Sequence, residues 1–243
     1  MLKRILKYSA IALVVCYLVV AFAVIPGLGN DNRCNGILME ITEDNSGIID
    51  SEDIKELLKE EGLDPNGMEM DSIRCYEIER FINSMSLVKE CQIYKTQNNY
   101  INSVITCRRP IIKVIADNGE TYCIDEEGVR IEGIQKALYL PVATGHITDS
   151  IAMKGLNEVA VSISRNRFWK AQIEQVHFKE NGDIVLVPRV GNHIIELGTA
   201  ENVDYKLEKL YTFYSKGLGE IGWNKYSIIN IEYADKVICT RRE

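Results

Sequence analysis

The chain has 243 residues, 28 of them basic and 35 acidic, with seven cysteines and three histidines. Because the basic set includes Lys3, Arg4 and Lys7, the rest of the chain carries an acidic excess of about 10, which argues against nucleic acid or an anionic lipid surface as the main ligand. No low-complexity block and no internal repeat stands out, which argues against a disordered stalk or a solenoid.

After Lys3, Arg4 and Lys7 comes a charge-free apolar run from Tyr8 to Ile25, ended by Pro26, Gly27, Gly29 and Asn30. At roughly 1.5 Å per residue the run reaches about 27 Å, close to the roughly 30 Å hydrocarbon core of a bilayer. The pattern predicts a transmembrane helix over 8–27, with Tyr8, Val15, Leu18 and Ile25 in the anchor. Residues 1–7 form a cytoplasmic tail and the folded body lies on the far side. A cleavable signal peptide is the competing reading, since Ala21, Phe22 and Ala23 spell A-x-A, but Val24 and Ile25 prolong the run beyond a signal core. A lipoprotein site at Cys16 is weaker, because Val15 stands where a small residue is needed.

Gly36 to Thr42 alternates as a short strand. Asp50 and Ser51 offer cap oxygens to a helix carrying Ile54, Leu57 and Leu58, stopped at Gly62. A second helix is predicted from Asp71 to about Met85, with Ile73, Ile78, Phe81, Ile82 and Met85 facing inward. A hairpin follows, Val88 to Thr96 and Tyr100 to Arg108, turning at Gln97, Asn98 and Asn99. The order is β-α-α-β-β. Within a span of about 75 residues just outside an anchor, it resembles a POTRA domain, here over 34–110. Of the cysteines beyond the anchor, Cys34, Cys75, Cys91, Cys107, Cys123 and Cys239, none sits in a metal-binding spacing. They read mostly as buried, reduced packing residues. Cys91 and Cys107 flank the hairpin and are the one pair that could lie opposite each other.

From Ile111 the pattern changes to strands and turns. Lys113 to Ala116 and Thr121 to Ile124 flank Asp117-Asn118-Gly119, and Glu126-Glu127-Gly128 forms a further turn. A helix is expected from about Ser150 to Arg165, with Ile151, Leu156, Val159, Ala160 and Ile163 along one stripe and Phe168 and Trp169 closing it. Gln172 to Phe178 and Asp183 to Pro188 pair across Glu180-Asn181-Gly182, and His193 to Leu197 adds a strand. A helix from about Val203 to Ser215 leaves Gly217 and Gly219 beyond its end. The last strands, Ser227 to Tyr233 and Lys236 to Thr240, meet across Ala234 and Asp235. The fold class is therefore α+β: an N-terminal transmembrane helix, then the β-α-α-β-β module, then a mainly antiparallel β domain over 111–243 with two covering helices and its last strand at an exposed edge.

Several strings resemble the bacterial cell-division family FtsQ/DivIB: Arg109-Pro110-Ile111, Tyr122 through Gly128, Leu140-Pro141-Val142, Gln172 through Gln175, Asp183 through Gly198, and Tyr226 through Tyr233. The resemblance covers essentially the whole chain. It implies a non-enzymatic divisome scaffold, single-pass in the inner membrane with its C-terminal domains periplasmic, that recruits FtsB and FtsL homologues alongside other divisome proteins. It implies no cofactor, metal, small-molecule substrate or nucleic acid. In the family the partner adds a strand to the terminal edge. Carried onto this chain, the matching positions are Tyr233, Lys236, Val237, Ile238, Cys239, Thr240 and Arg241. Glu232 stands where relatives have arginine, so the charge there is reversed. Arg241 and Arg242 read equally as a solvated tail or as contacts for an acidic patch.

The rival classes are a secreted hydrolase and a POTRA-type adaptor in polypeptide export. Against the first, the chain has no G-x-S-x-G, no H-E-x-x-H and no Walker loop. Gly217 to Gly222 spells G-x-G-x-x-G, but it follows a helix rather than a strand and so lacks the dinucleotide-binding context. Gly191, Asn192 and His193 read as a turn, and Trp223 and Tyr226 as loop anchors.

Overall fold

The computed structural model describes residues 9, 11–20, 32–42, 48–134, 136–147, 152–219 and 222–242. The anticipated tail over 1–7, the anchor positions Tyr8 and Ile25, the A-x-A pattern at 21–23, the helix start at Ser150 and Ile151, and Glu220 and Ile221 of the glycine-rich string lie outside the described residues. Residues 11–20, with Val15 and Leu18, are helical and exposed throughout. Among the described residues no helix is long and apolar enough to cross a membrane.

The first folded unit opens with strand β1 (Ile37–Thr42) and helix α1 (Ser51–Glu60). The Asp50 carboxylate accepts from the N–H groups of Glu52 and Asp53 while the Asp53 carboxylate accepts from the N–H of Asp50. This reciprocal cap stabilises the helix by about 1 kcal/mol relative to alanine. Helix α2 (Cys75–Asn83) is shorter than the span read from Asp71 to Met85. Both the N–H and the hydroxyl of Ser72 donate to the Glu69 carbonyl, and the Asn32 amide holds the Asp71 carboxylate, so this stretch turns instead of winding. Strands β2 (Val88–Lys95) and β3 (Ile101–Cys107) form the hairpin, with Asn99 in the left-handed region at φ 60.

In this three-stranded sheet β3 is central, parallel to β1 and antiparallel to β2. Ile54, Leu58, Ile78 and Ile82 of the helices pack on Ile37, Ile101 and Ile105. The register corrects the cysteine expectation. Cys91 faces Ile105 and Cys107 faces Val88, with a bulge between Val88 and Glu90, so the two thiols are offset rather than opposed. Both are free and buried, and burial pushes both thiols up, away from the reactive thiolate.

Among the described residues the second sheet has nine strands: β4 (Pro110–Ile115), β5 (Thr121–Asp125), β6 (Arg130–Ile131), β7 (Val142–Gly145), β8 (Ile173–Phe178), β9 (Ile184–Pro188), β10 (Ile194–Gly198), β11 (Tyr226–Asn230) and β12 (Ile238–Arg241). Their spatial order is β12-β11-β10-β9-β8-β7-β4-β5-β6. Most neighbours are antiparallel, but β4–β7, β7–β8 and β10–β11 are parallel, so the sheet is mixed rather than wholly antiparallel. For β7–β8 and β10–β11 the cause is the helices, whereas between β4 and β7 lie the strands β5 and β6. A helical segment between adjacent strands carries the chain over the sheet and returns it in the same direction. Between β7 and β8 lie a π-helical turn (Ala152–Leu156), α3 (Asn157–Arg165) and α4 (Arg167–Gln172). Phe168 and Trp169 begin α4 instead of closing α3, because the Asn166 side chain breaks the helix and accepts from their N–H groups. Between β10 and β11 runs α5 (Val203–Phe213), prolonged by a π-helical turn (Tyr214–Leu218), so Gly217 lies inside the helical run and not beyond it. Leu156, Ile163, Trp169, Leu207, Leu210 and Leu218 cover Val114, Val176, Leu186, Ile195 and Ile229.

Arg108 and Arg109 alone separate β3 from β4. The Arg108 guanidinium, 18% exposed, donates to the Asp125 carboxylate, 7% exposed, at 2.8 Å, and Lys89 pairs with Glu127 beside it. Leu87, Cys123 and Ile131 bury together with Ile49 and Leu138 along the same seam. Arg108→Ala leaves the nearly buried Asp125 carboxylate without its cation and is expected to lower stability by about 2 kcal/mol, read from the urea midpoint. An unchanged midpoint contradicts this account of the seam.

Candidate functional site

An edge strand offers main-chain donors and acceptors on its free side. The chain treats its edges differently. On β2, the Asn83 side chain of α2 donates to the Cys91 carbonyl and accepts from its N–H, and the Glu79 carboxylate accepts from the N–H of Ile93. That edge is sealed by its own helix. At one end of the large sheet β6 is two residues long. At the other end stands β12, paired among the described residues only with β11.

Two hydrogen bonds fix which groups of β12 are free. The N–H of Ile231 donates to Glu196 of β10, and the N–H of Arg242 donates to the Lys225 carbonyl. Successive peptide groups point to opposite sides of a strand. Ile228 and Asn230 therefore face β12, their opposite numbers Thr240 and Ile238 face β11, and the N–H and C=O groups of Cys239 and Arg241 are left at the outer margin. Ile238 is 44% exposed, while Cys239 packs half-buried on the core.

The strands are shorter than the sequence reading. β11 ends at Asn230 and β12 begins at Ile238, because Asn230 turns its side chain to accept from the N–H of Glu232 and to donate to the Glu196 carboxylate. Tyr233, 47% exposed, therefore lies in the turn and not at a strand end, with the Lys236 ammonium 5.1 Å over its ring. Lys236 and Val237 precede the strand, and Val237 packs on the core. Ile238, Cys239, Thr240 and Arg241 form the strand itself. Glu232 folds back over Gly198, where an added Cβ would meet its Cγ at 2.6 Å.

Behind the turn stands α5. Lys209 Nζ donates to the carbonyls of Ile231 (3.0 Å), Tyr233 and Ala234 (3.4 Å), and the Tyr205 hydroxyl donates to the same Ala234 carbonyl at 3.1 Å. Lys206, buried one turn earlier, donates to the carbonyls of Leu197 near the end of β10 and of Thr199 just beyond it. Burial pushes both ammonium groups below the ordinary lysine range, and at Lys209 the neighbouring charge of Lys206 adds to the effect. A groove of about 670 Å³ opens between this helix and Val237, lined by Tyr205, Lys209, Thr212, Phe213 and Lys216. Sequence reasoning missed Tyr205 and Lys209. Their four-residue spacing placed them on one helix face, but a lysine on an amphipathic helix reads as solvated unless the loop beneath it is known.

The far end of β12 is tied down as well, by the Arg242 guanidinium donating to the Asn192 carbonyl. Beneath that turn His193 Nε2 lies 2.6 Å from the Tyr214 hydroxyl, within a cluster that includes Trp223 and Trp169. This explains His193 as a packed core residue. Among the described residues no group of His, Cys, Asp and Glu side chains is placed to hold a metal ion. Burial, with Arg242 nearby, pushes the His193 imidazole below its ordinary value of 6.5. The unfolded chain then binds the proton more readily than the folded one. Stability is expected to be full above about pH 6.5 and to fall as the pH drops below it. Urea midpoints between pH 7.5 and 5 should show this loss, and His193→Phe should reduce it; identical pH profiles for the two proteins contradict it.

Residues 109–240, more than half of the chain, match the family model described as FtsQ/DivIB, C-terminal related, and residues 32–106 match the POTRA-like domain model. No curated protein matches the chain. A sheet ended by an open four-residue strand, behind a β-α-α-β-β module and coextensive with these two matches, identifies the chain as a member of the FtsQ/DivIB family.

Proposed function

We propose that the chain is a divisome scaffold, tethered in the inner membrane by residues 8–27 with its folded body in the periplasm, that captures FtsB and FtsL homologues by adding a partner strand to β12. The observation that carries this reading is the free margin of Cys239 and Arg241 on a strand that, among the described residues, is paired on one side only. A partner strand laid there gains main-chain hydrogen bonds, and its alternate side chains meet Ile238 and Thr240 on one face and Cys239 on the other. Membership of the FtsQ/DivIB family supports a place among cell-division proteins. The tether is supported by the apolar helical residues 11–20, where Leu13 is 72% exposed and no described residue covers it. The capture involves no bond chemistry, which suits a scaffold rather than an enzyme.

Proline scanning of the full chain tests the margin directly. Cys239→Pro and Arg241→Pro each remove an outward donor without breaking a bond to β11, and should weaken binding of the extracytoplasmic FtsB segment from the same genome by about tenfold or more. Thr240→Pro removes an inward donor and should destabilise the β11–β12 pair itself. Wild-type affinity in correctly folded Cys239→Pro and Arg241→Pro proteins, measured by calorimetric titration, contradicts capture at this edge.

A further inference from the structure

A strand of four residues with one neighbour has little to hold it in place. The link that delivers it, residues 231–237, runs without regular structure from the end of β11 to the start of β12. Its carbonyls at Ile231, Tyr233 and Ala234 all turn toward α5 and converge on one ammonium group, that of Lys209, with Tyr205 sharing the last of them. Lys206, three residues earlier, is spent on different carbonyls at the end of β10, so it cannot replace Lys209. The other end of β12 is held independently by Arg242.

We propose that Lys209, assisted by Tyr205, is the positioning residue of the β12 margin: by gathering three loop carbonyls it keeps β12 paired to β11 and ready for an incoming strand. This rests on the proposed capture at that edge. Lys209 itself stays behind the loop, bonded to the protein's own backbone. Its contribution is therefore to the fraction of molecules whose edge is formed before the partner arrives. A partner that binds only the formed edge associates in proportion to that fraction, while its departure rate, set by the contacts made, is unchanged.

The test uses Lys209→Met, which keeps the stem and removes the donors, and Lys209→Arg, which keeps charge and donors. In the free full chain, amide exchange at Ile238 and Thr240, the groups turned toward β11, should be about tenfold faster in Lys209→Met and near wild type in Lys209→Arg. With the same FtsB segment as probe, Lys209→Met should lower the association rate by about tenfold with the dissociation rate unchanged, and Lys209→Arg should restore it. Unchanged exchange at Ile238 and Thr240 overturns the positioning role whether or not the probe binds. Faster dissociation with unaltered association also overturns it, because it makes Lys209 a contact. Failure of the wild-type chain to bind the probe counts against capture at the edge instead, leaving the exchange result to decide the role of Lys209.

Discussion

The proposed capture depends on one constraint: β12 has to expose main-chain groups on its outer side while being held from its inner side and its ends. A short strand satisfies half of its backbone bonding through its single neighbour, and here that neighbour is β11. The remaining hold comes from side chains. Lys209 and Tyr205 grip the link before the strand, Arg242 grips the turn at Asn192 after it, and Cys239 anchors its inner face in the core. Each of these leaves the Cys239 and Arg241 peptide groups free.

Two other edges are closed to pairing, while β1 of the small sheet, paired with β3 alone among the described residues, stands at an edge as β12 does. Asn83 and Glu79 occupy the outward groups of β2 as a partner strand would, and β6 is too short to template an addition. Sealing costs two polar side chains on α2, which then cannot serve the solvent-facing surface of that helix. No comparable side chain reaches the margin of β12 among the described residues. The β2 edge and the β12 edge therefore differ within the same molecule, one covered by side chains of α2 and the other not.

The two units are held at their seam by a nearly buried ion pair and a small apolar cluster, so the open edge has a defined direction relative to the first unit. The same seam explains why only two residues suffice as a linker. Arg108 is both the connection and the fastening, since its N–H donates to Leu87 and its guanidinium reaches Asp125.

Much of the local structure was legible in the sequence, because turn chemistry is local: Asn99 and Gly119 mark hairpins, and Asp50 marks a helix start. The exposed terminal edge was legible too. Strand direction was not read, although helices between β7 and β8 and between β10 and β11 carried the signal for parallel crossovers. The offset of Cys91 from Cys107 follows from the register set at the hairpin turn, which pairs Cys91 with Ile105, and residue spacing alone does not reveal that register. The displacement of Tyr233 from strand to turn depends on Asn230 and Lys209 acting on a loop that is distant in sequence from α5. The central claim is tested most directly by amide protection at Cys239 and Arg241 before and after adding the FtsB segment. Those two amides should exchange freely in the lone chain and become protected in the complex, whereas a complex in which they still exchange freely would contradict strand addition at β12.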